Sequence, residues 1–266
     1  MSGAEMSRSG SPAASSATGT GPRPVPVRSV PAGPGYPLYE FSLTATLMFA
    51  VVTTIRWVLD PVSPLAPANL RLALLVVGAL TGALVFGLLR SPWGRCSGAH
   101  MNPAVTLALW RLRVFPGREA AAYVVAQLCG SVAGTVLARL VWGPAVARVG
   151  YGLAAAAPSW NAWAVFAAEG GCLVLVTLMI GFFLARPARA RWFPAALGLV
   201  VCAIIAVLGP LSGGAANPAR QFGPALVSGA TGGLWIYLAA PVVGAVLGAG
   251  AHHRFVRARA GRLPAA

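Results

Sequence analysis

Ser97-Gly98-Ala99-His100-Met101-Asn102-Pro103-Ala104 recurs later in the chain as Ser212-Gly213-Gly214-Ala215-Ala216-Asn217-Pro218-Ala219. Both copies read Ser-Gly-x-x-x-Asn-Pro-Ala, and each runs into a short apolar stretch. Asn caps the first amides of a helix well, and Pro is favoured at the first helical position, so each copy marks a helix start. A single Asn-Pro-Ala is an ordinary helix beginning. Two matched copies in corresponding positions of two halves are the mark of an inverted repeat with interrupted helices.

The surroundings of the two copies are apolar. Of the 266 residues, 57% are hydrophobic and only 9% are charged, and the mean hydropathy is +0.73. A soluble domain carries about a quarter charged residues, so this chain cannot cover a surface in water. Its net charge of +15 comes from 20 basic residues, all of them Arg. They sit between apolar runs and not along one face, as the loop charges of a membrane protein do, so no nucleic-acid partner is expected. Cys96, Cys129, Cys172 and Cys202 have no CxxC spacing, and three lie inside apolar runs. They read as packing residues, and neither a disulfide framework, a metal site nor a cofactor is expected.

Residues 1–36 are rich in Ser, Gly, Pro and Ala and lack the apolar core of a signal peptide. They are expected to form a disordered tail. Six apolar spans follow at 38–59, 70–90, 118–141, 162–185, 193–211 and 233–253, each near the roughly 20 residues that a bilayer requires. The runs after Asn102 and Asn217 are too short to span, at about half a membrane each. They read as re-entrant half-helices buried against protein. The expected organisation is a channel-like domain over 37–254, with repeats at 37–142 and 160–254, and a basic C-terminal tail over 255–266. The fold class is all-α, with six transmembrane helices and two half-helices.

The arginines set the orientation. Arg90, Arg95, Arg111, Arg113 and Arg118 flank the first half-helix, Arg186, Arg189 and Arg191 fill the link between spans four and five, and Arg254, Arg257, Arg259 and Arg262 close the chain. With six spans these share one side with the N-terminal tail, and the positive-inside rule makes that side the cytoplasm. Arg56, Asp60, Arg71, Arg139 and Arg148 fall on the other. A plasma or cell inner membrane location with both termini cytoplasmic is expected.

Glu40 in span one and Glu169 in span four are carboxylates inside apolar runs. Such groups are costly and mark fixtures. A structural role, accepting hydrogen bonds from the irregular backbone before each half-helix, is expected; a proton relay is the alternative.

With Asn217-Pro218-Ala219-Arg220-Gln221-Phe222-Gly223-Pro224 added to these features, the chain resembles the aquaporin, or major intrinsic protein, family over residues 37 to 254. The resemblance implies a right-handed bundle, half-helices that meet mid-membrane, one pore per subunit and a homotetramer embedded in lipid. It assigns Asn102, Pro103, Ala104, Asn217, Pro218 and Ala219 to the pore centre. Each half-helix brings about half a positive charge to that point, which repels cations. The carboxamides of Asn102 and Asn217 donate to a passing solute oxygen, and Arg220 adds a full charge at the outer mouth. His100 is a pore-lining or loop-bracing residue.

The family's narrowest point is lined by four positions. Counting back from the two boxes without a gap gives Gly82, Ile205 and Gly214, with Arg220 as the fourth and Thr81 as the alternative to Gly82. This set is similar to that of plant nodulin-like intrinsic proteins. It implies passage of small uncharged solutes, of the glycerol, boric acid or arsenous acid type, together with water. The alternative is a water-selective channel with an atypical filter. A coupled transporter, a membrane scaffold and an enzyme fit less well: no coupling-ion site and no nucleophile–base pair is legible.

Overall fold

The computed structural model describes residues 33–260. The helices are α1 (Tyr36–Val58), α2 (Leu70–Arg90), the short α3 (Pro92–Ser97), α4 (Pro103–Arg111), α5 (Gly117–Trp142), the short α6 (Pro144–Arg148), α7 (Ala162–Leu184), α8 (Phe193–Leu208), α9 (Pro218–Ser228) and α10 (Leu234–Ala260). Short 3-10 turns occupy Gly150–Gly152 and Pro187–Trp192, and no strand occurs among the described residues. Most of the tail expected over 1–36, and residues 261–266 of the C-terminal tail expected over 255–266, lie outside the described residues. Helix α10 is continuous to Ala260, past the expected span end at 253.

The six expected spans appear as α1, α2, α5, α7, α8 taken with the 3-10 turn before it (Pro187–Leu208), and α10, all long and apolar enough to cross a membrane. Their starts are legible: Asn69 caps α2 by accepting from the Arg71 and Leu72 amides, and Asn161 caps α7 through the Ala164 amide. Helix α8 stops at Leu208, short of the expected 211. Pro210 has no amide to donate and disfavours helical geometry in the residue before it. The half-helices α4 and α9 have 9 and 11 residues, about 14 and 17 Å at 1.5 Å per residue.

Small residues bring the spans together. Helix α1 packs along α5, α7 along α10, and α2 crosses α8 between the two halves. Without a hydrophobic drive between helices in lipid, close backbone approach supplies the contact. At the α2–α8 crossing a Cβ on Gly82 would collide with the Gly198 carbonyl, and one on Gly78 would sit 2.7 Å from the Cys202 carbonyl oxygen. Gly82 therefore belongs to a helix crossing, and the expectation that it lines the constriction is corrected. Leu70, Leu74, Val77, Thr81 and Val85, one helical stripe to the side, face the central cavity instead. Large apolar side chains such as Leu75, Leu140, Leu175 and Leu199 point outward, where lipid covers a spanning protein.

Contacts at the helix ends mark the two ends of the bundle. At one end Asp60, after α1, is buried and receives Arg148 from α6 through Nη2 at 2.6 Å and Nε at 3.1 Å. At the other, Tyr39 stacks on Trp93, and His253 Nε2 lies 3.1 Å from the Arg111 carbonyl. The start of α1 and the end of α10 thus share one end with the arginine-rich link after α2.

Two measurements follow. Gly82→Val is expected to lower the detergent melting temperature and the folded yield, because overpacking a helix crossing costs about 1–3 kcal/mol. Thr81→Val should leave both unchanged; equal behaviour of the two variants would contradict the assigned helix face. The hydrogen bonds from Arg148, aided by the Val62 amide and opposed by burial, hold the Asp60 carboxyl below its ordinary value of 3.8. A lowered carboxylate pKa gives stability above the unfolded value that is lost as pH falls through the folded one. The melting-temperature gap between the wild type and Asp60→Asn should therefore be constant at neutral pH and close below pH 3.8.

Candidate functional site

The two Ser-Gly-x-x-x-Asn loops repeat each other in three dimensions. Gly98, Ala99 and Met101 have φ of 89°, 47° and 48°, and Gly213, Gly214 and Ala216 have 89°, 58° and 50°. Asn102 and Asn217 then leave at φ of −154° and −157° with ψ of 113° in both. A left-handed conformation at a non-glycine residue costs about 1–2 kcal/mol, so something must hold Ala99, Met101 and Ala216.

Two buried carboxylates hold them. Glu40 Oε1 accepts from the Ser97 hydroxyl at 2.8 Å and the His100 amide at 3.0 Å. Its Oε2 accepts from the Met101 amide at 2.7 Å and Gln127 Nε2 at 2.8 Å. Glu169 Oε1 accepts from the Ser212 hydroxyl at 2.7 Å and the Ala215 amide at 3.1 Å, and Oε2 from the Ala216 amide at 2.6 Å. Every partner is a donor, which suits an acceptor-only carboxylate. Tyr123 and Tyr237 add matching bonds to the Ser97 and Ser212 carbonyls at 3.0 and 2.7 Å. Glu40 and Glu169 thus accept hydrogen bonds from the irregular backbone before each half-helix.

The half-helices meet head to head. Asn102 Oδ1 accepts from the Ala104 amide and Asn217 Oδ1 from the Ala219 amide, both at 2.9 Å. Each carboxamide also reaches across: Asn102 Nδ2 donates to the Ala216 carbonyl at 3.0 Å, and Asn217 Nδ2 to the Met101 carbonyl at 2.9 Å. A carboxamide nitrogen carries two hydrogens, so one on each Asn is left for the lumen. Pro103 and Pro218, at the first turns, and Ala104 and Ala219, fully buried, complete the junction.

Two cavities flank this junction. The wider, about 500 Å³, is lined by Asn102, Asn217, Thr81, Ile205, Gly214 and Arg220, and by the link residues Arg148, Leu153, Ala154 and Ala155. The narrower, about 230 Å³, lies toward the arginine-rich end and is lined by His100, Val105, Leu109, Phe183 and Phe193 among others. His100 combines both expected positions: it lines this cavity, its Nδ1 lies 3.1 Å from Thr106 Oγ1, and it packs on Phe115 and Tyr123. Thr81 Oγ1 and His100 Nε2 are buried polar atoms with no protein partner. Both belong to cavity-lining residues, where a solute can supply the missing bond.

Helix α9 is opened beside Arg220. The Ser131 hydroxyl of α5 donates to the Ala219 carbonyl and accepts from the Gly223 amide at 2.9 Å. Pro224 removes the amide that would meet the Arg220 carbonyl. Ser131, Gln127, Thr106, the tyrosine pair and the link around Ala154 went unread in the sequence. Gln127, polar within an apolar run, and the repeated Tyr, spaced 26 and 25 residues from Ser97 and Ser212, were the available signals.

The family model for "Major intrinsic protein" matches residues 38–252. A probable aquaporin of Archaeoglobus fulgidus is 42% identical over 164 residues, 59% of this chain and 66% of the relative. The rice aquaporin NIP1-3 is 38% identical over 165 residues, 60% of this chain and 55% of the relative. The matched segment thus spans just under two thirds of the archaeal relative and about half of the plant one. The aquaglyceroporin of Plasmodium falciparum superposes with a TM-score of 0.72 at 20% identity, over 86% of this chain and 98% of that one; at this identity the likeness is one of fold.

Replacing either carboxylate by its amide turns an NH₂ toward a backbone donor. Glu40→Gln and Glu169→Gln should each lose about 1–3 kcal/mol in thermal or denaturant unfolding. Glu40→Gln should lose more, since Glu40 accepts four bonds and Glu169 three; a larger loss at Glu169 would show that the Gln127 contact contributes little.

Proposed function

From a chain that belongs to the major intrinsic protein family, and whose members are passive channels and not enzymes, we propose a channel for small uncharged polyhydroxy solutes and water. The observation that carries this reading is the lumen around the head-to-head Asn102 and Asn217, apolar apart from a few polar groups with hydrogens to spare. A solute oxygen accepts the spare hydrogen of each carboxamide as it passes. Two half-helix N-termini, each worth about half a positive charge, and the guanidinium of Arg220 oppose cations and hydronium at the same point.

The constriction is the ring of Thr81, Ile205, Gly214 and Arg220. Thr81 is 7% exposed with an unpaired hydroxyl. A solute with several hydroxyls bonds to Thr81 and Arg220 on one edge and rests its carbon or boron face on Ile205. Water bonds to the same groups but gains nothing from the apolar wall. Glycerol, boric acid and arsenous acid are the solutes this arrangement suits. The outward apolar faces suit a homotetramer in a lipid bilayer, placed in the cell inner membrane with the wide cavity outside and both termini in the cytoplasm.

Proteoliposomes carrying the chain should pass glycerol and boric acid above empty vesicles, with fluxes indifferent to ion or proton gradients. Water flux without any glycerol, boric acid or arsenous acid flux would favour a water-selective channel, and gradient dependence would favour a transporter. Thr81→Phe with Ile205→His should suppress the solutes and keep water. Arg220→Val should raise proton or cation leak while neutral flux persists, because a fixed charge is lost from a low-dielectric site. Unchanged leak with abolished flux would make Arg220 a folding residue.

A further inference from the structure

The two repeats differ at the fourth residue after the capping Asn. In the first it is Thr106, whose hydroxyl stays within its own half, donating to Asn102 O at 3.2 Å and accepting from Gln127 Nε2 at 3.0 Å. In the second it is Gln221, which reaches out of its half to the link between α6 and α7. Its Oε1 accepts from the Ala154 amide at 3.0 Å, and its Nε2 donates to the Ala154 carbonyl at 2.8 Å. One carboxamide thus satisfies both backbone groups of one loop residue, with Gln221 only 3% exposed.

Apolar packing also places the link, with Ala154 buried among Val165, Ala215 and Ile236 and with Gly213 close against Ala154 and Ala155, but few of its backbone groups bond outside it. Residues Gly150, Tyr151 and Gly152 have φ of 56°, 56° and 80°, and the bonds from Gly152 N to Val149 O and from Leu153 N to Gly150 O are local turns. Among the described residues, one further backbone bond, Ala157 N to Leu211 O at 2.8 Å, ties the link to the second loop. Yet Leu153, Ala154 and Ala155 form a wall of the wide cavity. The same Gln221 Oε1 also receives Arg220 Nη1 at 3.5 Å, the one hydrogen bond the guanidinium makes among the described residues.

The geometry points to Gln221 as the positioning residue of the constriction, fixing the Leu153–Ala155 wall and the direction of the Arg220 guanidinium together. Without that bond the guanidinium would turn toward any acceptor that enters the lumen. The carboxamide keeps it against the wall, with its remaining donors free for solute. Selectivity between solutes, more than opening or folding, is what this side chain sets. The inference rests on the reading of Thr81, Ile205, Gly214 and Arg220 as the constriction.

The test compares Gln221→Met, close in size but without hydrogen bonds, with Gln221→Glu, which keeps the acceptor for Ala154 N and Arg220. Glycerol, urea, water and monovalent-cation permeabilities are measured in proteoliposomes of full-length protein and normalised to folded channel by gel filtration. Gln221→Met should shift the glycerol-to-water ratio about fivefold, the size of one hydrogen bond's net contribution. Gln221→Glu keeps the bonds from Ala154 N and Arg220 but sets an oxygen against the Ala154 carbonyl. It should therefore bring that ratio only part of the way back toward wild type while raising cation leak about fivefold, because a carboxylate cancels the charge of Arg220. Wild-type ratios in Gln221→Met, or losses of all fluxes in equal proportion, would overturn the inference. If Gln221→Met does not fold, Gln221→Glu decides alone: added cation leak supports the inference and unchanged leak overturns it. A wild-type protein that passes no glycerol would instead sink the constriction reading itself.

Discussion

Backbone amides that leave a helix inside a bilayer have no water to bond, and the whole centre of this molecule follows from how that is managed. Each loop before a half-helix turns through three left-handed residues, and each presents its amides to one buried glutamate. A hydrogen bond to a charged acceptor is worth about 1.5–3 kcal/mol, more than the strain of one left-handed residue. Burying a carboxylate carries its own penalty of several kcal/mol, so the gain lies in specifying one backbone path and not in net stability. With that path set, the half-helices end at one point and their Asn caps reach each other's loops.

The repeat is symmetric where it builds the junction and asymmetric where it builds the walls. Glu40 and Glu169, Ser97 and Ser212, Tyr123 and Tyr237 do the same work in each half. Gln127 bonds Glu40 in the first half, whereas Pro241 stands four residues after Tyr237 in the second. His100 fills the first loop with an aromatic cluster, and Ala215 leaves the second open. These differences make one cavity narrow and lined by aromatics and the other wide, with Arg220, Thr81 and a loop wall.

Glycines do two unlike jobs in this chain. Gly98 and Gly213 allow a φ of 89°, which a side chain would strain. Gly82 and Gly198 lie in regular helix and serve contact, letting α2 and α8 touch backbone to backbone. Both uses look the same in a sequence, which is why Gly82 reads as a gap in a pore wall until its neighbour is known.

The sequence alone determined the six spans, the two half-helices, the Asn caps and the pairing of Glu40 with Glu169. All of these rest on local signals: runs of apolar residues, Asn-Pro at helix starts, and carboxylates where lipid forbids them. That Ile205, Gly214 and Arg220 lie near the lumen was also legible, and all three line the wide cavity, because few residues separate them from Asn217. What the tertiary structure decided is which face of α2 meets the lumen, and so Thr81 over Gly82. One residue of a helix turns a side chain by about 100°, and only the α8 backbone against Gly82 says which side is inward. The clasp of Gln221 on Ala154 was equally hidden, since 67 residues separate its partners and no periodicity links a half-helix to a loop.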